Sequence, residues 1–168
     1  MRTLYRFRSA DGRYGTTLTG DTVRTMLGAA RAAGGAETGG ILIGLYNGGL
    51  DTAMVTQAAP PPPDSRGTQG TFYRGVAGVG ALLQRLWRQP IRTHYLGEWH
   101  VHPGTSAERS ATDDNTMRGD GLRGAFGCLV PILVILGGDP QGAWELRAWA
   151  YPERGQPVVL AEQQPRAD

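Results

Sequence analysis

Apolar positions along this chain change period several times, and each change marks an element. From Thr3 to Thr19 the pattern reads as strand, turn and second strand, with Asp11-Gly12 as the turn. From Asp21 to Ala33, DTVRTMLGAARAA switches to helical spacing through Val23, Met26, Leu27 and Ala30. Thr19 or Asp21 supplies a cap and Gly34-Gly35 a stop, while Gly28 weakens the helix locally. GGILIGLY, Gly39 to Tyr46, predicts a strand, and Asn47-Gly48-Gly49 a turn into an antiparallel partner over Asp51 to Gln57.

PPPPDSRGTQG then reads as a stiff segment followed by a mobile loop. Val76 to Gln89 predicts a helix with one buried face, ending near Pro90. His94 to His102 predicts a strand running into an exposed loop, and Thr112 to Met117 a short helix. Phe126 to Leu136 and Trp144 to Trp149 supply two late strands, although Pro131 counts against an unbroken central strand because it lacks a backbone donor. The segment after Leu160 reads as a peripheral tail, giving one domain over 1–160 and a tail over 161–168. The fold class expected is α/β, a single domain with a central mixed β-sheet flanked by helices. AGGAETGG lacks the phosphate-cradling GxxxxGK[ST] pattern, and GVAGVG lacks the layout of a dinucleotide site.

A length of 168 residues with 40% hydrophobic and 19% charged content suits one globular core and excludes wholesale disorder. All 17 basic side chains are arginine and none is lysine. They are scattered singly from Arg2 to Arg166, without the concentrated stripe that nucleic acid favours. The apolar run from Phe126 to Gly138 is too short to cross a bilayer, and the N-terminus has no apolar leader, so a cytoplasmic location is expected with no membrane partner. Cys128 stands alone in an apolar stretch; it excludes an internal disulfide and cysteine-rich metal motifs, and reads as a buried structural thiol.

The chemistry concentrates in GEWHVHPGTSAERSATDD, Gly97 to Asp114. One residue separates His100 from His102, so a strand directs both imidazoles to one face. Pro103 turns the chain away, and a loop can return Asp113 as an oxygen donor. Two neutral histidine nitrogens and a carboxylate suit borderline-soft zinc and leave a fourth position for water. An HxH pair alone is a weak signal. Together with the upstream ETGGILIG and the downstream SATD, the pattern Glu37, His100-x-His102-Pro103, Ser110, Asp113 resembles the JAMM motif of the MPN, or JAB, metalloprotease family. YLGEWHVHP and the LLQRLW helix resemble, within that family, bacterial JAB peptidases of CBASS antiphage systems, which remove ubiquitin-like conjugates from a nucleotide cyclase.

The resemblance implies a single catalytic Zn2+ held by His100, His102 and Asp113. It implies Glu37 as the general base that returns its proton to the departing amine, and Ser110 as an oxyanion donor. Its implied partners are the C-terminal tail of a ubiquitin-like protein and the protein it is joined to, including a bacterial nucleotide cyclase conjugate. Ser110 can equally cap the helix that follows. Glu98 shares strand parity with the histidines and is a candidate for orienting a ligand; Trp99 points the other way, into packing. Asp114 is free to cap, orient or face solvent, and Arg109 reads as a solvated arginine. His94 reads as packed or exposed rather than as a ligand. Two other activities remain open at this stage: processing of a ubiquitin-like or sulfur-carrier precursor, and a noncatalytic JAMM-like binding domain. A zinc deaminase is excluded because the HxE and PCxxC ligands are absent.

Overall fold

The computed structural model describes residues 4–119 and 121–163. Its first hairpin pairs β1 (Leu4–Arg8) with β2 (Gly15–Thr19), and α1 (Gly20–Ala32) follows at once. Thr19 caps that helix by accepting the N–H of Thr22 at 3.2 Å. Helix α1 buries the stripe Val23, Met26, Leu27 and Ala30 that its spacing predicts.

The chain continues through β3 (Gly39–Tyr46), β4 (Thr52–Ala58), a small hairpin of β5 (Arg66–Gly67) and β6 (Phe72–Tyr73), and α2 (Val79–Trp87). Then come β7 (His94–Pro103), α3 (Ala111–Arg118), α4 (Gly121–Phe126), β8 (Ile132–Gly138), β9 (Trp144–Ala150) and β10 (Val158–Glu162). Eight strands form one mixed sheet in the order β1-β10-β9-β8-β7-β3-β4-β2, closed by the β1–β2 pair. The β7–β8 and β2–β4 pairs are parallel and the rest antiparallel. The predicted mixed sheet with flanking helices is present, and its closure leaves no long free edge.

Both faces of the central strands are covered, which explains their unbroken apolar runs. Leu42, Leu96, Trp99, Val101, Val134 and Leu136 turn inward to meet α1. On the outer face, Ile41, Ile43 and Tyr95 pack beneath α2 with Val79 and Leu83. Leu133, Ile135, Trp149 and Tyr151 pack with Ala107 and with Met117 of α3. The outer face of β7 therefore has one apolar cluster on each side of it.

Three sequence expectations need correction. Phe126 to Leu136 is not one strand: Phe126 closes α4, and β8 begins at Ile132, directly after the donor-less Pro131. The segment after the proline run is no free loop. Asp64 accepts the N–H groups of Val76 and Ala77 at 3.0 Å each, Ser65 accepts that of Gly75, and the β5–β6 hairpin lies between these clasps. Sheet pairing also runs past Leu160, since Ala161 and Glu162 pair with Arg8 and Phe7.

The close approach of β3 to β7 sets the position of everything in the site. Gly39 faces His100 in register, and a Cβ there would lie 2.2 Å from Trp99 O and 2.7 Å from His100 Cβ. Gly39→Ala is expected to destabilise the fold by about 2–3 kcal/mol through overpacking. Gly28 has open space around it on the exposed face of α1. Gly28→Ala should stabilise by about 0.5–1 kcal/mol through helix propensity. Urea denaturation midpoints that moved together for both variants would contradict this contrast.

Candidate metal centre

The strand period of β7 puts Glu98, His100 and His102 on its outer face, with Trp99 and Val101 inward. Trp99 is held in place by donating its Nε1–H to Ala59 O at 3.0 Å. After Pro103 a loop leads to α3, whose first turn carries Asp113. Ser110 is the N-cap of that helix and Asp113 its third residue, and the two form a reciprocal capping box. Ser110 Oγ accepts the Asp113 N–H at 3.2 Å, while Asp113 Oδ2 accepts the Ser110 N–H at 2.5 Å. The cap thus fixes the carboxylate that faces the histidines.

His100 Nε2 lies 3.0 Å from His102 Nε2 and 3.2 Å from Asp113 Oδ1, and His102 Nε2 lies 3.8 Å from Asp113 Oδ2. Donors on a tetrahedral metal ion with bonds of roughly 2.0–2.1 Å sit about 3.3 Å apart, so the three atoms fit one shared cation. Two imidazole nitrogens at 3.0 Å cannot both present lone pairs to each other; a cation between them removes that conflict. Burial pushes the Asp113 carboxyl up, but the His100 hydrogen bond and charge and the Ser110 bonds outweigh it, holding the pKa at about 2. His100, His102 and Asp113 are the one such cluster among the described residues.

Glu37 reaches the same cavity from the segment leading into β3. Antiparallel pairing of Gly39 with His100, extended by the Val101 N–H bond to Thr38 O at 2.9 Å, carries Glu37 toward His102. Burial raises the Glu37 carboxyl above the ordinary glutamate value; His102 and His100 pull it back and Asp113 adds to the rise. The cavity has a volume of about 360 Å³. Glu37, both histidines, Ser110 and Asp113 line it, together with the hairpin tip from Gln69 to Phe72. The hairpin rests on the Glu37 backbone: Glu37 N–H donates to Thr68 O at 2.7 Å, and a Cβ on Gly67 would meet Glu37 O at 1.9 Å.

Glu98 lines the cavity but is engaged elsewhere. It takes Arg74 Nε at 2.9 Å and Tyr95 Oη at 3.4 Å, so it anchors the hairpin to the histidine strand. Its parity was legible, whereas no local signal marked Arg74 as its partner. Asp114 is not free: it binds Arg109 and accepts the Tyr151 hydroxyl at 2.6 Å, tying α3 to the end of β9. Arg109 is accordingly paired. His94 lies away from the cluster, between the rings of Tyr46 and Trp87. Cys128 is buried against Tyr46, and burial raises its thiol, which suits a structural role.

Two histidines on one strand of the mixed sheet and a carboxylate on a capped helix form a cluster able to hold a metal ion. Comparison with known proteins makes the assignment specific. Residues 20–151 match the family described as prokaryotic homologs of the JAB domain, and the chain belongs to that family. It is 39% identical over 156 residues to a CD-NTase/cGAS isopeptidase from Enterobacter hormaechei subsp. hoffmannii (strain UCI 50), covering 93% of this chain and 86% of the relative. A solution structure from Desulfitobacterium hafniense matches with a TM-score of 0.62 at 20% identity, covering 89% of each chain, and supports the fold alone. Family and cluster together make the chain a JAMM-type metallopeptidase. No described helix is long and apolar enough to cross a membrane.

Asp113→Asn retains an oxygen to cap Ser110 N–H but loses the anionic donor. Zinc affinity in competition titrations should fall by on the order of 100-fold or more, with the circular dichroism spectrum unchanged. Undiminished affinity would remove Asp113 from the donor set.

Proposed function

We propose that this protein is a zinc-dependent isopeptidase that releases a protein joined through its C-terminal tail to an acceptor amine, the conjugates including a CD-NTase. The observation that carries this reading is the convergence of His100, His102, Asp113 and Glu37 on one cavity, in a chain 39% identical to a CD-NTase/cGAS isopeptidase. The donor set of two imidazoles and a carboxylate suits zinc, which when bound supplies Lewis-acid activation of water and polarisation of the scissile carbonyl.

The remaining work falls to side chains. Glu37 accepts a proton from the attacking water; its raised pKa brings it closer to neutrality, where a base both accepts and returns a proton effectively. It then delivers that proton to the departing amine nitrogen, without which the tetrahedral species reverts. Ser110 Oγ spends a lone pair on Asp113 N–H, leaving its own hydroxyl proton available for the developing oxyanion. Asp113 is a far weaker base than Glu37, because its carboxyl is held at a pKa of about 2 and its oxygens face the histidines.

An extended tail reaching this cavity passes the hairpin tip at Gln69, Gly70 and Thr71. A cavity of about 360 Å³ favours small residues next to the cleaved bond. The acceptor lysine belongs to a partner, since this chain contains none.

Two measurements test the reading. Glu37→Gln should keep zinc stoichiometry while turnover of a defined conjugate falls by roughly 10²–10⁴-fold; equal turnover would remove the general base. Matched substrates carrying one tail, joined either to a lysine ε-amine or to a following peptide, should show preference for the ε-amine linkage. Preference for the linear substrate would instead identify a precursor-processing peptidase.

A further inference from the structure

His102, Gly137 and Glu145 lie in one row across three adjacent strands, His102 paired with Gly137 on β8 and Gly137 with Glu145 on β9. The middle position is bare. A Cβ on Gly137 would lie 2.3 Å from Ala107 N, so the missing side chain is what lets the loop after Pro103 fold back over β8. Into that gap falls the Ser106–Ala107 peptide. Its carbonyl faces His102 Nδ1 at 3.3 Å, and its N–H donates to Glu145 Oε1 at 2.8 Å. Both contacts belong to one planar amide, so fixing its N–H fixes the direction of its C=O. The Ala107 side chain is fully buried against Met117, Leu133 and Ile135, and among the described residues no backbone carbonyl takes its N–H.

We infer that Glu145 is a positioning residue for the metal centre, acting on His102 through the Ser106–Ala107 peptide. With its N–H held by a carboxylate, the peptide presents a polarised oxygen to His102 Nδ1. That oxygen favours the tautomer carrying hydrogen on Nδ1 and leaves the Nε2 lone pair directed at His100 and Asp113. Arg147 borders the arrangement, pairing with Glu108 and lying 3.7 Å from Glu145 Oε2, the oxygen that does not bind Ala107. The inference rests on the metal reading of the cluster.

The test is zinc affinity by competition titration, with the absorption spectrum of the cobalt-loaded protein as a second readout. Glu145→Ala removes the acceptor and should weaken zinc binding by roughly 10–100-fold and alter the cobalt spectrum. Glu145→Gln keeps an oxygen in place and should rescue affinity to within about threefold of wild type, the charge adding less than the bond. Arg147→Ala, which leaves the Ala107 bond intact, should bind as wild type does. Wild-type affinity in Glu145→Ala, or equal losses in the alanine and glutamine variants, overturns the inference. Should Glu145→Ala not fold, the zinc-loaded wild type still decides. Nitrogen-detected spectra must show His102 protonated at Nδ1, and hydrogen exchange must show a protected Ala107 amide; failure of either overturns it. A wild type that binds no zinc would refute the metal centre itself, a result distinct from these.

Discussion

The site depends on two strands lying closer than side chains normally permit. Where β3 crosses His100, Gly39 offers no Cβ, and the backbones meet with Trp99 O and His100 Cβ in the space one would fill. That approach carries Glu37 to the mouth of the cavity and lets Thr38 O take the N–H of Val101. Gly40 extends the constraint: a Cβ there would lie 2.4 Å from Ala59 O, the carbonyl that also receives Trp99 Nε1–H. The paired glycines of the motif therefore act sterically, bringing the Glu37 carboxylate to the cavity that the histidines of the next strand line.

The second constraint is that one set of hydrogen bonds serves both helix and metal centre. Asp113 satisfies the free N–H of Ser110 at the start of α3 while its other oxygen faces His100. Asp114, the next residue, secures the same helix to Tyr151 and Arg109. Asp113 thus both caps the helix and faces the histidines, while Asp114 only secures the helix. The hairpin at 66–73 is secured on separate terms, by the Asp64 clasp at its base and by the Arg74–Glu98 pair on the histidine strand. Since Arg74 and Glu98 are nearly enclosed, each depends on the other to offset its desolvation.

Arginine without lysine acquires meaning beside this site. The chain keeps a formal charge of +2 and forms its arginine ion pairs through Arg8, Arg24, Arg74, Arg109 and Arg147 while carrying no lysine side-chain amine. On the proposed isopeptidase reading, the chain itself offers no lysine to which a released tail can be attached.

Local periodicity determined much of this protein in advance. The two-residue strand repeat put His100 and His102 on one face, S-x-x-D at a helix start put Asp113 in the first turn, and the apolar stripe of α1 was readable from Val23 to Ala30. These features arise between near neighbours, where backbone geometry leaves few choices. Only the tertiary structure decided that the sheet closes, that the segment after the prolines folds into a clasped hairpin, and that β8 starts beyond Pro131. It alone joined Arg74 to Glu98, 24 positions apart, and Ala107 to Glu145, 38 apart. Such pairings follow from strand register, and register is set by which backbones can approach one another in space, information that a repeat along the chain does not contain.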